Sequence, residues 1–219
     1  KDMAERIKYR GPDGEGYFID DDVALAHRRL AIIDLSSGGQ PQYNEDKSLV
    51  IVFNGEIYNF VELKSELKKS GHKFTNKSDT EVIIHGYEQW GTDVTKHLRG
   101  MFAFAIWYAK QKTLFMARDG FGIKPLYYAK FGSSFMFASE IKAFLDHPKF
   151  KKELNKEILS SYLCFNSTPT EETFFKGVYR VEPGYQILYK DGKINKTQFF
   201  KLEFDENDED MDSIIIKFR

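Results

Sequence analysis

The chain has 219 residues, 42% of them hydrophobic, which is the composition of a globular protein large enough for one sizeable core. Its 32 basic residues balance 33 acidic ones to a formal net charge of −1, so we expect neither a nucleic-acid nor an anionic-membrane partner. A single cysteine excludes a disulfide framework and a multi-cysteine metal site, and it fits a reducing, cytoplasmic compartment.

The first third of the chain predicts short elements around one buried strand. The end of a helix, two strands joined across three aspartates, and a loop are predicted at residues 3–9, 17–20, 23–27 and 36–44. Leu49 to Phe53 predicts a buried strand that stops at Asn54-Gly55 and turns into a helix. Such a corner would bring a side-chain amide, a backbone N–H and a helix N-terminus close together, where they could hold a developing negative charge. An ordinary connection is the simpler interpretation of this stretch alone, because Asn-Gly is a common turn dipeptide.

Two amphipathic helices follow, and then the pattern changes to strands. The helices are predicted at residues 60–70, closed by Gly71, and at residues 81–90, where Ser78 to Glu81 matches the capping-box pattern. Further on, strands are predicted at 101–109, 113–119, 125–129 and 135–138, short helices at 140–145 and 155–165, and an extended segment at 177–189. Strands outnumber helices, and the helices fall in separate groups, which predicts an α+β fold.

Six motifs occur between Arg10 and Ala143 in a characteristic order: RGPDG, AHRRLAIIDLSSGGQP, NGEIYN, SDTE, RDGFGIKPLYY and SEIKA. In this order they closely resemble the class II glutamine amidotransferase domain of glutamine-hydrolysing asparagine synthetases. The resemblance implies an N-terminal nucleophile hydrolase fold, a four-layer αββα sandwich that hydrolyses the glutamine side-chain amide to glutamate and ammonia. In that chemistry an N-terminal cysteine attacks the amide carbon, and its own α-amine acts as the base.

The resemblance also implies a substrate site. Asn54 and Gly55 match the catalytic oxyanion-hole pair, a side-chain amide and a backbone N–H. Arg29 matches the arginine that binds the substrate α-carboxylate, although a surface charge beside Arg28 is the alternative. Asp79 matches the carboxylate that binds the α-ammonium, although helix capping explains it as well. The other matched positions are Glu56 and, through their backbone groups, Ile32 and Ile33.

Several other conspicuous residues are interpreted as structural. His27 is expected to pack or to orient its neighbours rather than to act as a general base. Cys164 lies among apolar residues and is expected to be a buried thiol. Four hallmarks of the resemblance without an evident chemical step are interpreted in the same way: Arg118, Asp119, Gly122 and Lys124.

The chain departs from the resemblance at both ends. Members begin with the cysteine nucleophile and a first strand, whereas this chain begins at Lys1, so we expect that strand to be missing and this fragment alone to be inactive. Residues 1–150 are expected to form the core of the domain, 151–204 its C-terminal part and the connection toward a synthetase domain, and 205–219 an acidic linker and the start of that domain. No cofactor is expected within the domain, and the resemblance implies ATP and Mg²⁺ for the absent synthetase domain.

Three functions are open at this stage. The first is the glutaminase domain of an asparagine synthetase, with glutamine as substrate and a C-terminal synthetase domain as partner. The second is the same domain in an enzyme with another amide acceptor. The third is a degenerate domain that binds glutamine or acts as a scaffold, which the retained Arg29, Asn54, Gly55 and Asp79 disfavour. Whether two copies form a homodimer is also open.

Overall fold

The structure, a computed structural model, describes residues 1–30 and 39–203. Its helices are α1 Asp2–Arg6, α2 Phe60–Lys69, α3 Thr80–Trp90, α4 Val94–His97 and α5 Leu159–Phe165. Its strands are β1 Gly14–Ile19, β2 Ala24–Arg29, β3 Gln42–Tyr43, β4 Leu49–Ile57, β5 Gly100–Tyr108, β6 Thr113–Arg118, β7 Tyr127–Phe131, β8 Ser134–Ala138, β9 Val178–Arg180, β10 Tyr185–Lys190 and β11 Lys193–Gln198. Short 3₁₀ helices cover Lys8–Arg10, Gly91–Asp93, Ala109–Gln111, Ile141–Phe144 and Lys156–Ile158.

The central element is an antiparallel sheet in the order β11-β10-β6-β5-β4-β3. Because side chains alternate along a strand, β4 sends Leu49, Ile51 and Phe53 to one face and Val50 and Val52 to the other. Both sets are buried, in two separate hydrophobic clusters. This explains why the strand reads as a continuous apolar run rather than as an alternating one.

This sheet is one of four layers. Helices α2 and α3 cover the face that carries Leu49 and Ile51. The opposite face packs against two smaller sheets, β1-β2 and β8-β7-β9. Beyond these sheets, α1 and the 3₁₀ helix at Ile141–Phe144 form the outer layer, packed against β7 and β9 through Met3 and Phe144. The order is therefore αββα, and the predicted α+β architecture is confirmed.

The structure corrects the prediction that the central strand stops at Asn54-Gly55. Strand β4 continues to Ile57 in unbroken register with β5, and Ile57 pairs with Gly100, the first residue of β5. The long partner strand overrides the local turn signal, and Gly55 allows the close approach that the pairing needs. A Cβ added at Gly55 would lie 2.1 Å from the Met101 carbonyl oxygen and 2.8 Å from Phe102 Cα. Helix α2 begins only at Phe60.

The capping box predicted at the start of α3 does not form. The Ser78 hydroxyl accepts a hydrogen bond from the N–H of Thr80, two residues on, at 3.0 Å, whereas the box requires the N–H of Glu81. Glu81 does not reach back to Ser78 either. It accepts hydrogen bonds from the Thr75 and Asn76 N–H groups at 2.7 and 3.0 Å, because the preceding loop offers these donors closer by.

The expectation that Cys164 is a buried thiol is wrong. Helix α5 contributes no buried residue, and Cys164 is exposed. Its neighbours Leu163 and Phe165 are 82% and 69% exposed, so the apolar run that suggested a core position faces outward.

Some predictions concern residues that lie outside the described ranges. These include the expected linker at 205–219 and the first part of the loop predicted at 36–44. In the described part of that loop, Gln42 and Tyr43 form the short strand β3. Among the helices of residues 1–30 and 39–203, none is both long enough and apolar enough to cross a bilayer.

Candidate functional site

Five of the residues that the resemblance assigns to the site line one cavity of about 510 Å³: Arg29, Asn54, Gly55, Glu56 and Asp79. They come from three places in the fold, namely the end of β2, the last residues of β4 and the start of α3. The structure therefore brings together residues that are up to fifty positions apart in the chain. The other two predicted positions, Ile32 and Ile33, lie outside the described residues.

The backbone N–H of Gly55 points to the edge of β4 that borders the cavity. Gly55 lies opposite Phe102 on β5, but both backbone polar groups of Phe102 are bonded to Asp119. The Phe102 N–H donates to the Asp119 carboxylate at 3.2 Å, and the Phe102 carbonyl accepts from the Asp119 N–H at 2.8 Å. The pair is therefore a non-hydrogen-bonded one, and the polar groups of Gly55 face away from β5. In this alternation Phe53 and Ile57 face the same edge.

The backbone groups on either side of Gly55 are bound by side chains. The N–H of Phe53 donates to Gln40 Oε1 at 2.6 Å, and its carbonyl accepts from Gln40 Nε2 at 2.9 Å. The N–H of Ile57 donates to Asp79 Oδ2 at 2.9 Å. Gly55 thus presents a donor at the cavity between two fixed neighbours. Sequence reasoning gave Gln40 no role, although the residue stands in the SGGQP segment that supports the resemblance.

His27 also contacts this edge. Its Nε2 lies 3.1 Å from the Phe53 carbonyl oxygen, so Nε2 carries a proton and donates it. Burial lowers the pKa of His27 to about 4, the hydrogen bond to Phe53 opposes this shift, and the charge of Arg29 adds to it. A neutral imidazole that donates to a carbonyl fixes the strand edge, which agrees with an orienting role and not with a general base.

Asn54 and Gly55 are consecutive residues that both line the cavity. Asn54 continues the face of β4 that carries Val50 and Val52, so its amide points toward the space between the sheets where the cavity opens. Together the two residues offer the cavity a side-chain amide donor and a backbone N–H. This is the donor set of an oxyanion hole.

Asp79 gives the cavity a carboxylate whose charge is only partly compensated. Asp79 is the residue before α3, and its side chain makes no capping hydrogen bond there. Burial raises the pKa of the carboxyl above its ordinary value, the backbone N–H groups of Ile57, Asp79 and Thr80 oppose the shift, and nearby Glu56 adds to it. A cationic group in the cavity would relieve this cost.

The two arginines at the end of β2 have different surroundings. Arg28 is 7% exposed and forms ion pairs with Glu5 and Glu15 at 2.5 and 2.6 Å, so it fixes α1 to the β1-β2 hairpin. Arg29 is the next residue of the strand and lines the cavity. Both arginines border the cavity, but Arg28 is committed to its two ion pairs, and Arg29 is the one that matches the carboxylate-binding arginine of the resemblance.

The hallmark residues of the RDGFGIKPLYY segment hold a loop together. The Asp119 carboxylate accepts hydrogen bonds from four backbone N–H groups: Phe102, Phe121, Ile123 and Lys124, at 3.0 to 3.2 Å. Arg118 donates to three carbonyl groups: Gly122, Lys124 and Val181, at 2.6 to 2.7 Å. The geometry agrees with a structural interpretation. It also adds that Asp119 sets the orientation of Phe102 and, through it, that of Gly55.

The family model described as "Glutamine amidotransferase domain" matches residues 1–200. The chain belongs to this family. The glutamine amidotransferase domain is similar to "Asparagine synthetase [glutamine-hydrolyzing] 1" of Bacillus subtilis, with 42% identity over 220 residues, covering 100% of this chain and 35% of the relative. A second B. subtilis asparagine synthetase is 37% identical over 221 residues, covering 99% of this chain and 36% of the relative. The chain thus spans about a third of the length of these relatives.

Solved structures agree on the fold of this glutamine amidotransferase domain. Glutamine phosphoribosylpyrophosphate amidotransferase from B. subtilis superimposes with a TM-score of 0.62 at 21% identity, covering 90% of this chain and 45% of that one. An allosteric regulatory enzyme of purine biosynthesis gives 0.57 at 23% identity, covering 81% and 35%. At these identities the likeness concerns the fold alone, and it confirms the predicted N-terminal nucleophile hydrolase architecture.

Proposed function

We propose that this chain is the glutaminase domain of a glutamine-hydrolysing asparagine synthetase and that the cavity binds glutamine. The observation that supports this proposal is the convergence of Arg29, Asp79 and the Asn54-Gly55 donor pair on one cavity. An amino acid carries a carboxylate, an ammonium and, in glutamine, an amide carbonyl. The cavity offers a partner of suitable charge or polarity for each of them.

The polar groups of the cavity divide the work of binding. The guanidinium of Arg29 suits the α-carboxylate, because it can donate two parallel hydrogen bonds. The Asp79 carboxylate, with Glu56 beside it, suits the α-ammonium. The Gly55 N–H and the Asn54 amide are then left for the oxygen of the side-chain amide, the atom that becomes negative when a nucleophile attacks.

In the proposed reaction a thiolate forms a bond to the amide carbon, and the carbonyl oxygen takes up the negative charge. Asn54 and Gly55 stabilise this oxyanion; collapse of the intermediate breaks the C–N bond and releases ammonia after protonation. Water then hydrolyses the thioester to glutamate. Cys164 is not placed for this chemistry, since it is exposed on α5, and no cysteine is among the described residues that line the cavity.

We propose that the thiol nucleophile of the parent protein stands on an extended segment that lies between β2 and β8 and is not among the described strands. Within the described ranges β1 is the only partner strand of β2, which has one further bridge from Arg29 to Pro12, and β7 is the only partner strand of β8, so each has an edge without a partner strand. Residues of both strands, including Ala26 and Phe137, line the same cavity as Asn54 and Gly55. A strand seated there would satisfy both edges and would carry its first residue toward the oxyanion hole.

The ammonia acceptor and the partner domain follow from the relatives. Those that the chain matches over its full length have names that specify asparagine synthetase, which favours aspartate over another acceptor. We therefore propose a C-terminal synthetase domain that uses ATP and Mg²⁺ as the partner of this domain in its parent protein. A reducing cytoplasmic location would keep a catalytic thiol active.

The test is glutamate release from glutamine by the protein as its gene encodes it. Steady release of glutamate and ammonia in equal amounts, together with asparagine formation when aspartate, ATP and Mg²⁺ are added, is the expected result. Glutamate release without asparagine formation would leave the glutaminase and exclude aspartate as the acceptor. A folded protein that binds glutamine without releasing glutamate would instead be a degenerate binding domain.

A further inference from the structure

A second group of polar side chains lies outside the glutamine cavity. It consists of His72, in the loop after α2, and His85 and Glu88, three positions apart on one face of α3. One ligand atom from each of the three lies within 4.8 Å of the other two. None of them lines the cavity with Asn54 and Gly55.

The atoms of this cluster face one point. Glu88 Oε2 lies 2.8 Å from His85 Nδ1 and 3.5 Å from His72 Nδ1. Glu45 Oε2 lies 3.9 Å from the same nitrogen of His85 and adds negative charge beside the cluster. Two imidazoles and a carboxylate are a donor set that zinc and related transition metals prefer, whereas Mg²⁺ and Ca²⁺ prefer oxygen ligands alone.

The second ring nitrogen of each histidine also has an oxygen atom near it. His72 Nε2 lies 3.1 Å from Gln89 Oε1, and His85 Nε2 lies 3.9 Å from Glu81 Oε1. The Gln89 oxygen is thus within hydrogen-bonding distance of His72, and the Glu81 carboxylate is within ion-pairing distance of His85. Such partners orient histidine ligands in metal sites.

Glu88 is oriented in the same manner. Asn44 donates to its Oε1 at 2.8 Å, so the carboxylate turns Oε2 toward the two histidines. Asn44 itself lies in the turn before β4, where its side-chain oxygen accepts from the Leu49 N–H at 2.9 Å. The Glu88 carboxylate is thus oriented by Asn44, whose own side chain is fixed by the backbone of β4.

Burial and charge favour a cation at this point. The side chain of His85 is 2% exposed, that of His72 16% and that of Glu88 24%. The carboxylates of Glu88 and Glu81 lie 2.8 and 3.9 Å from the two ring nitrogens of His85, so this imidazole is surrounded by negative charge.

We propose that His72, His85 and Glu88 bind a divalent transition metal ion of the zinc type. The ion would join two segments that pack together here, the loop after α2 and helix α3. Its role is structural, because α3 begins next to Asp79 and the ion would fix that helix without touching the glutamine site. This proposal does not depend on the glutaminase activity.

The test is zinc binding by the full-length protein after removal of bound metal. We expect the wild type to bind one Zn²⁺ per chain more than His72→Gln and Glu88→Gln, or to bind that ion at least about tenfold more tightly. The matched control is His147→Gln, because His147 stacks on Phe131 in the outer part of the fold and is not in the cluster. Comparison with this control removes the contribution of zinc sites elsewhere in the protein.

Two further readouts keep the test decisive. Zn²⁺ should raise the unfolding temperature of the wild type and of His147→Gln, and this rise should be much smaller in His72→Gln and Glu88→Gln. Co²⁺ should give the visible absorption of a nitrogen- and oxygen-bound ion in the first pair only. Equal zinc content and equal thermal shifts in all four folded proteins would overturn the proposal and leave the cluster as an ion-pair network around a protonated His85.

Discussion

Two aspartates of this chain, Asp119 and Asp79, show how one residue type serves structure in one region and ligand binding in another. Asp119 is 1% exposed, and four backbone N–H groups converge on its carboxylate. Asp79 borders a cavity, accepts one hydrogen bond from β4, and has a raised pKa because burial is not fully offset. The protein supplies all the partners of the first carboxylate and leaves room for a ligand at the second.

Two arginines also serve the structure. Arg118 donates to three backbone carbonyls, and Arg28 is paired with two glutamates. For the two aspartates, the number of hydrogen bonds that the fold supplies separates the structural charge from the candidate binding charge better than residue identity does.

The largest effect is expected from Asp119→Asn, which changes the carboxylate whose hydrogen-bond partners all come from the fold. The amide retains one acceptor, so some of the four N–H groups become buried without a partner. We expect a loss of about 3–5 kcal/mol in the free energy of unfolding, measured by urea denaturation. Because Asp119 orients Phe102, the folded fraction should also show a lower kcat for glutamine hydrolysis. Wild-type stability in this variant would contradict the structural role of the residue.

Asn54→Ala tests the side that is open to the ligand. The amide stabilises negative charge that appears only in the transition state, so kcat for glutamine hydrolysis should fall by roughly 10²–10³ with little change in KM. Asn59→Ala is the matched control, because Asn59 bonds the backbone of His97 and Arg99 and does not line the cavity. It should lower stability and spare kcat. Equal losses in kcat and in glutamine affinity in Asn54→Ala would mean that the amide only binds substrate.

The same comparison explains how far sequence reasoning reached. The motif order predicted the family, and the family predicted Arg29, Asn54, Gly55, Glu56 and Asp79, which the structure places at one cavity. The positions of individual groups depend on non-local pairing and were harder to predict. The Asn54-Gly55 dipeptide signals a turn, yet β5 keeps it in a strand, and it is this strand that aims the Gly55 N–H.

Other misses have the same origin. Strand β11, KINKTQ, was not predicted, since it is a polar edge strand that pairs only with β10 and lacks an apolar alternation. Cys164 looked buried because its neighbours in sequence are apolar, but α5 packs few of them. Gln40 binds both polar backbone groups of Phe53, a role that no local pattern announces.

His27 borders the cavity, yet its hydrogen-bond partner, the Phe53 carbonyl, comes from the fold, so the residue tests the comparison within the site. Its pKa of about 4 lies below the ordinary value of about 6.5, so the unfolded chain binds the extra proton between these values. Stability should therefore fall by up to about 3 kcal/mol as the pH is lowered from about 6.5 to about 4. His27→Gln keeps an N–H donor for Phe53 and should remove this part of the slope, whereas His147→Gln should keep it. Identical slopes in all three proteins would remove His27 from the acid response.

The smallest effect, and the sharpest contrast with Asp119, is expected from Asp79→Asn. Burial makes the ionised carboxylate costly, so this variant should be as stable as the wild type or slightly more stable. Its KM for glutamine should rise by roughly 10–100-fold, because the substrate ammonium loses a charged hydrogen-bond partner. In the wild type KM should also rise as the pH falls through the pKa of Asp79, which is raised from the ordinary value of an aspartate, and this rise should be absent from Asp79→Asn. An unchanged KM, or a stability loss like that of Asp119→Asn, would place Asp79 among the structural carboxylates and remove the ammonium partner from the proposed glutamine site.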